Sequence, residues 1–223
     1  ATNYIGFIRR ALKKADMEQI PVISLNLAGI ESNPGFHLNA DLLLRAAVGA
    51  EFGDIFMRCV YRMRPYEAAP GSVDALHKEW LAKVQKFVSA KHISIPKFRR
   101  MCTEIIRDFD AVPVLDIKKP RVGVVGEILV KYQPDANNHV VDVIESQDCE
   151  AVVPGIMEFM TTRPYISDWN EHYLGMGGSK LGYALMRKGL DLYNAPVREA
   201  VDLAHGKFSQ DLPMPELVKK ADE

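Results

Sequence analysis

The densest group of chemically useful side chains follows an apolar run, Arg121–Ile128, which predicts a buried β-strand. In open α/β sheets ligands bind beyond the carboxyl ends of the strands, so the end of this run and the segment after it are a candidate binding loop. Its glycine would let a ligand approach the backbone, and its lysine can bind a phosphate as a point charge. The candidate ligand-binding residues here are Gly126, Glu127, Lys131, Asn137 and Asn138. An ordinary loop with an asparagine helix cap accounts for the same residues equally well.

A second polar group, Arg62–Glu67, places two cations, a phenol and a carboxylate at the predicted end of a helix. A cationic last turn is favourable through the helix dipole, which is the purely structural interpretation. The functional interpretation is a site for an anion or a partner, in which Arg64, Tyr66 and Glu67 make the contacts.

Several other kinds of site are not supported by motif spacing. Gly123–Gly126 lacks the glycine order of a dinucleotide fingerprint, and Gly175–Gly182 has no preceding strand, as a Walker loop requires. The six histidines are scattered without HxxxH or HExxH spacing, so no metal site is predicted. No nucleophile elbow is present. Three cysteines without a CxxC motif indicate reduced thiols: Cys59, Cys102 and Cys149.

Strands and helices alternate where these groups must be positioned. Pro21–Leu27 predicts a first buried strand, Arg121–Ile128 a second and Glu150–Val153 a third. The last two, with the helix expected between them from Asn137 or Asn138, predict parallel strands joined by a right-handed crossover.

The remaining segments predict helices. One begins near the start of the chain, and another runs from an Asn39 cap to Pro65. That second helix is favoured over a strand at Ile55–Tyr61 because no turn residues separate its two halves. Further helices are expected after Gly71, after Ser94 and over most of the chain beyond residue 155.

Composition places the chain among soluble globular proteins. It has 223 residues, of which 48% are hydrophobic and 26% charged, and its net charge is −1. A near-neutral chain has no overall attraction to nucleic acid or to an anionic membrane. No apolar run is long enough to span a bilayer, and the start of the chain does not resemble a secretory signal, so a cytoplasmic location is expected. The predicted fold is helix-rich α/β, with two partial Rossmann-like lobes at 1–115 and 116–223 that contain short parallel sheets.

The sequence also resembles a known family. Lys119–Asn138 is similar to a segment of the acyl-CoA dehydratase activase-related proteins, relatives of the D-component of 2-hydroxyacyl-CoA dehydratases and of benzoyl-CoA reductases. The Arg64–Glu67 motif with Gly71 resembles another segment of these proteins. Weaker similarity covers Asn3–Leu12, Pro21–Asn26 and Tyr173–Lys180.

The resemblance implies a role in anaerobic CoA-thioester metabolism. Members of this family pair an ATP-hydrolysing iron–sulfur activase with a component that carries a [4Fe–4S] cluster and acts on an acyl-CoA. This chain contains no ATPase motif, and the cluster cysteines are expected before residue 1 and after residue 223. No cofactor is therefore assigned to the chain itself, and a cluster is expected only in a longer parent protein.

Three functions follow as hypotheses. In the first, the chain is an inactive scaffold of such a parent and contributes a surface for an acyl-CoA or for a cognate dehydratase or activase component. In the second, it is a stand-alone module that binds CoA or a nucleotide without redox chemistry. In the third, it is an interaction domain whose helix-rich part after residue 155 docks a partner.

Overall fold

Helices dominate the part of the chain that the structure describes. This computed structural model describes residues 2–22 and 39–157, together with 159, 170–175, 181–182, 184–185, 188–189, 195–197 and 199. The chain forms two compact units, Ala1–Leu43 and Leu44–Glu223. The two α/β lobes expected at 1–115 and 116–223 stay a prediction.

The elements follow one another in a simple order. The described helices are α1 (Thr2–Lys14), α2 (Ala40–Met63), α3 (Ser72–Val88), α4 (Ile95–Asp110), α5 (Ile128–Tyr132) and α6 (Val140–Ser146). The described strands are β1 (Arg121–Gly123) and β2 (Glu150–Val152), and single 3-10 turns occur at Arg64–Tyr66 and Pro134–Ala136. The helical interpretation of Ile55–Tyr61 is confirmed, since this segment lies inside α2.

Local sequence signals set the helix ends. Asn39 is confirmed as the cap of α2, because its Oδ1 accepts a hydrogen bond from the Leu42 N–H at 2.8 Å. The Ser94 side chain accepts from the Lys97 N–H and begins α4, where Pro96 occupies the first turn. Pro65 lacks a backbone N–H, so α2 stops at Met63 and the chain continues as a 3-10 turn.

Helices α2, α3 and α4 enclose the main core. Phe52 contacts the Phe98 ring edge to face, with ring centroids 5.2 Å apart, and contacts the Phe87 ring in the same way at 6.1 Å. Cys59 and Cys102 are fully buried in this core, and burial raises the pKa of both thiols above its usual range. They are therefore packed, protonated side chains.

The sheet is a parallel pair in which Val122 lies opposite Ala151. A strand–helix–strand unit with parallel strands is confirmed, and its small core contains Val124, Ile144 and Ala151. The predicted second strand is too long: β1 ends at Gly123, because the backbone turns at Gly126 and α5 begins soon afterwards. The fold is thus helix-rich with a short parallel sheet.

Two predicted regions lie mainly outside the described residues. In the predicted strand Pro21–Leu27, only Pro21 and Val22 are described, and neither is in a strand. Beyond residue 155, helical backbone occurs at the described positions 170–174, 181–182 and 195–197, as the sequence predicts.

Candidate functional site

The loop after β1 bends at Gly126, whose φ of +141° is a conformation that favours glycine. Glu127 then caps α5. Its carboxylate accepts hydrogen bonds from the backbone N–H groups of Leu129 at 2.7 Å and Val130 at 3.4 Å. Gly126 and Glu127 are both exposed just beyond the carboxyl end of the strand, as the sequence predicts. Because the Glu127 carboxylate already accepts hydrogen bonds from the backbone of α5, a ligand at this residue would have to bind to it in addition to these N–H groups.

Asn137 closes the same loop. Its Nδ2 donates to the Val130 carbonyl at 2.9 Å, and its Oδ1 accepts from the Val140 N–H at 3.2 Å, so it connects α5 to the first turn of α6. Asn138 and His139 follow with φ of +55° and +54°, left-handed conformations that non-glycine residues adopt at a cost. Asn137 thus has a structural role, and the binding role predicted for Asn138 stays a prediction.

Lys131 is the cation of this loop. Its ammonium lies 4.5 Å from the ring centroid of Tyr132 and 5.5 Å from that of Phe159. Tyr132 in turn donates its hydroxyl hydrogen bond to the Pro154 carbonyl at 2.6 Å, so the loop after β1 is fastened to the segment after β2. Aromatic faces orient an ammonium without neutralising it. The Lys131 ammonium thus lies beside two aromatic rings at the end of the loop that the sequence predicts to bind a ligand.

Asp54 on α2 reaches the segment after β2, a contact that the sequence analysis did not anticipate. Its two carboxylate oxygens accept from the backbone N–H groups of Ile156 at 2.8 Å and Met157 at 2.7 Å. Burial raises the pKa of Asp54, and these hydrogen bonds together with the charges of Arg58 and Lys131 only partly offset that increase.

The Arg64–Glu67 motif is fully engaged inside the fold. Arg64 forms two hydrogen bonds to the Glu145 carboxylate, at 2.8 Å and 3.0 Å. The Tyr66 hydroxyl donates to Glu150 at 2.8 Å. Glu67 accepts from the backbone N–H groups at the start of α3 and from a serine hydroxyl there, namely Gly71 at 2.6 Å, Val73 at 2.8 Å and Ser72 at 3.0 Å. The motif therefore fastens α2 and α3 to the sheet unit.

Glu150, the first residue of β2, is the buried centre of this region and was missed by the sequence analysis. Only 1% of its surface is exposed. Its carboxylate pairs with Arg62, with Tyr66 and with the Nε of Arg121 at 3.0 Å. A carboxylate that opens an otherwise apolar strand is the signal that could have revealed it, since a buried charge needs a partner.

The two predicted groups of site residues lie at opposite ends of the strands. Arg64 and Tyr66 contact the end of α6 and the start of β2. Gly126 and Lys131 instead follow the carboxyl end of β1. Because the strands are parallel, the amino end of β2 and the carboxyl end of β1 lie at opposite ends of the sheet. The two groups therefore cannot form one site and would contact different ligands or partners.

The iron–sulfur cluster that the resemblance implies does not fit the thiols of this chain. Cys59 and Cys102 are enclosed in the helical core, and Cys149 is half-buried beside β2. Among the described residues, no group of three His, Cys, Asp or Glu side chains is arranged to bind a metal ion. No described helix is both long and apolar enough to cross a membrane.

Comparison with known proteins adds no relative. No protein-family model, no curated protein and no solved structure matches this chain.

Proposed function

We propose that this chain is a scaffold within a larger cytoplasmic protein of anaerobic acyl-CoA metabolism, and that it does not catalyse a reaction alone. The loop beyond β1 would contribute a surface for an acyl-CoA or for a cognate dehydratase or activase component. The resemblance of Lys119–Asn138 and Arg64–Glu67 to activase-related proteins supports this proposal. A [4Fe–4S] cluster belongs to it only as part of the longer parent protein.

One observation carries the ligand part of the proposal. Lys131 presents its charge beyond the carboxyl end of a parallel strand, beside the rings of Tyr132 and Phe159. Phe159 is 43% exposed. Coenzyme A combines phosphate groups with a planar adenine, and a lysine beside an exposed aromatic ring suits both. The polar loop atoms around it are held by Glu127 and Asn137, so the surface is already shaped.

Ligand-dependent thermal stability tests this assignment. We expect millimolar coenzyme A to raise the Tm of the full chain, because a ligand that binds only the folded state stabilises it. Lys131→Ala should remove most of that increase, whereas Lys86→Ala on α3 should leave it unchanged. Equal shifts for both variants, or no shift for the unaltered chain, would contradict a coenzyme A site at Lys131.

The parent protein offers a second test. Alanine at both Glu127 and Lys131 should lower the activity of the full-length protein on its acyl-CoA. Unchanged activity would exclude this loop from the substrate or partner surface, even if the chain alone bound coenzyme A.

A protein-interaction domain is the second candidate function. In the described positions after residue 155, Leu181 is 71% exposed and Leu185 is 63% exposed. Apolar side chains that remain in solvent favour a docking face. We expect the fluorescence of a bound apolar dye to fall when both leucines are replaced by glutamate, and an unchanged signal would count against this candidate.

A further inference from the structure

Charge is distributed unevenly along this near-neutral chain. Between Glu79 and Glu104 the sequence has six cationic side chains and no carboxylate, although the whole chain has a net charge of −1. These residues span the second half of α3, its connection to α4 and the first half of α4. All six cations are exposed to solvent: Lys83, Lys86, Lys91, Lys97, Arg99 and Arg100. A local excess of one charge attracts an oppositely charged partner even where the net charge of the chain does not.

Contacts between α3 and α4 place lysines from both helices along one seam. The Lys97 ammonium, on α4, lies 5.5 Å from the ring centroid of Phe87 on α3. The Lys83 ammonium lies 4.2 Å from the ring centroid of Trp80, whose indole N–H donates to the Asp108 carboxylate of α4 at 3.2 Å. Both rings therefore lie between the two helices, and each has a lysine beside it.

Two further cations extend these positions by one helical turn. Lys86 follows Lys83 by three residues, and Arg100 follows Lys97 by three, so each pair lies on one side of its helix. We call these four residues the basic face. It presents two cations from α3 and two from α4 on either side of the seam.

Neighbouring carboxylates neutralise the basic face only in part. The Glu79 carboxylate lies 2.6 Å from Lys83 Nζ, and that of Glu104 lies 3.7 Å from Arg100 Nε. Both are surface pairs within one helix, which contribute little to stability and are readily exchanged for other partners. Lys86 and Lys97 form no ion pair with a carboxylate in the part of the chain that the structure describes.

We propose that the basic face binds an acidic helix of a partner protein. Side chains three or four residues apart on a helix have Cβ atoms about 5–6 Å apart, so glutamates at each turn of a partner helix match the spacing of the cations on α3 and on α4. One acidic helix lying along the seam would thus pair with both helices at once. Electrostatic complementarity of this kind mainly speeds association and selects the partner.

A nucleic acid fits this surface less well. Single strands bind by stacking their bases on exposed aromatic rings, whereas Trp80 and Phe87 are each only 4% exposed. Glu79 and Glu104, at the two borders, would repel phosphates. The basic face shares no residue with the loop beyond β1, so the acyl-CoA proposal can fail without affecting it.

Fluorescence anisotropy of a labelled acidic peptide with the full chain tests the proposal. The probe is an alanine-rich helix of about 20 residues with glutamates three and four residues apart on one side. We expect saturable binding that weakens as salt is added, because exposed charges are screened. Lys86→Glu with Lys97→Glu should weaken binding by about tenfold or more. Lys13→Glu with Lys14→Glu makes the same change of charge on α1 and should leave binding unchanged.

Several outcomes would overturn the proposal. They are no binding of the peptide, equal losses for the two double variants, and equal binding of a peptide of the same composition whose glutamates are spread around the helix. An oligonucleotide of equal charge that binds more tightly than the peptide, and that loses affinity in the Lys86→Glu, Lys97→Glu variant, would assign the basic face to nucleic acid instead.

Carbodiimide coupling locates the contact, because it joins a lysine ammonium to a neighbouring carboxylate with loss of water. Peptide mapping should find the probe on Lys83, Lys86 and Lys97. Lys78 lies five residues before Lys83, on another side of α3, and should stay uncoupled. Both substituted lysines are exposed, so circular dichroism of the double variant should match that of the unaltered chain. Crosslinks confined to lysines outside the basic face would overturn the proposal.

Discussion

The helical core and the strand–helix–strand unit are stabilised in different ways. The helical core buries large side chains completely: Phe52 and Phe98 are each 1% exposed, and Phe109 is fully buried. Among the described apolar side chains, the strand unit buries Val124, Ile144 and Ala151, and all of β1 is exposed. Apolar burial is thus extensive in the helical core and small in the strand unit.

Polar contacts connect the strand unit to helix α2. Near the start of β2, Glu150 binds Arg62 of α2, and beyond its end the backbone donates to Asp54 of the same helix. Helix α2 therefore runs antiparallel to β2 and is fastened to it at two points. The sheet unit therefore depends on a few charged contacts, whereas the helices depend on collective packing.

The largest expected effect is on the helical core. Phe98→Ala removes a fully enclosed ring from its contact with Phe52 and should lower the free energy of unfolding by about 3–5 kcal/mol. Phe7→Ala on α1, where the ring is 58% exposed, is the matched control and should change it little. Urea denaturation measures both, and similar losses would contradict the assignment of the core.

Removal of the buried charge at Glu150 should have the next largest effect. Glu150→Gln keeps the shape but directs amide hydrogens toward the guanidinium groups of Arg62 and Arg121, so we expect a loss of about 2 kcal/mol. Glu79→Gln breaks a surface pair with Lys83 and should cost no more than about 0.5 kcal/mol. Equal losses of stability for the two variants in chemical denaturation would show that the buried contacts of Glu150 do not stabilise the sheet unit.

Crowding at Gly155 tests the second attachment. A Cβ there would lie 2.5 Å from Oδ2 of Asp54, so Gly155→Ala should displace that carboxylate and cost about 1–3 kcal/mol. The same substitution at Gly123 meets open space and serves as the control. In an Asp54→Ala background the cost of Gly155→Ala should shrink, because the two residues share one contact. Full additivity in this double-mutant cycle would show that the contact is unimportant.

The smallest effect concerns Glu67 and depends on pH. Partial burial acts to raise the pKa of this carboxyl, but the Val73 and Gly71 N–H groups and the Ser72 hydroxyl outweigh it, so the pKa is lowered. A lowered pKa in the folded chain means that the stabilisation is complete above the pKa of the unfolded chain and is lost as pH falls through the folded value. Glu67→Gln should therefore cost about 1 kcal/mol at neutral pH and progressively less in acid.

Thermal or urea unfolding of both proteins between neutral and acidic pH measures this trend. A difference between Glu67→Gln and the unaltered chain that does not change with pH would contradict the role of the carboxylate as an anionic cap.

Local chemistry explains which elements were predictable. The Asn39 and Ser94 caps, the proline stop at Pro65 and the apolar periodicity of α3 and α4 act over a few residues, so the helices follow from the sequence. The length of β1 did not follow, because valines are compatible with a strand whether or not a neighbour pairs with them. The bend at Gly126 and the helix cap at Glu127 begin α5 so soon after β1 that the chain cannot continue as a strand.

The candidate site likewise contains residues that the sequence could predict and contacts that it could not. That a lysine and an asparagine follow a parallel strand could be predicted from the order of residues, and the structure places Lys131 and Asn137 there. The contacts of Arg64 with Glu145 and of Tyr66 with Glu150 could not be predicted, because the partners lie 81 and 84 residues apart along the chain. Their pairing depends on which charges are removed from water together.

The helix caps, the parallel direction of β1 and β2, and the polar character of the loop after β1 all follow from the order of residues along the chain. Each of these depends on short-range preferences or on the single helical crossover between the two strands. The internal contacts of the Arg64–Glu67 motif, and the contacts by which Glu150 and Asp54 connect α2 to β2 and the segment after it, depend instead on the folded chain. An unpaired charge raises the free energy only when folding removes it from water. Its partner therefore depends on which residues the fold buries beside it.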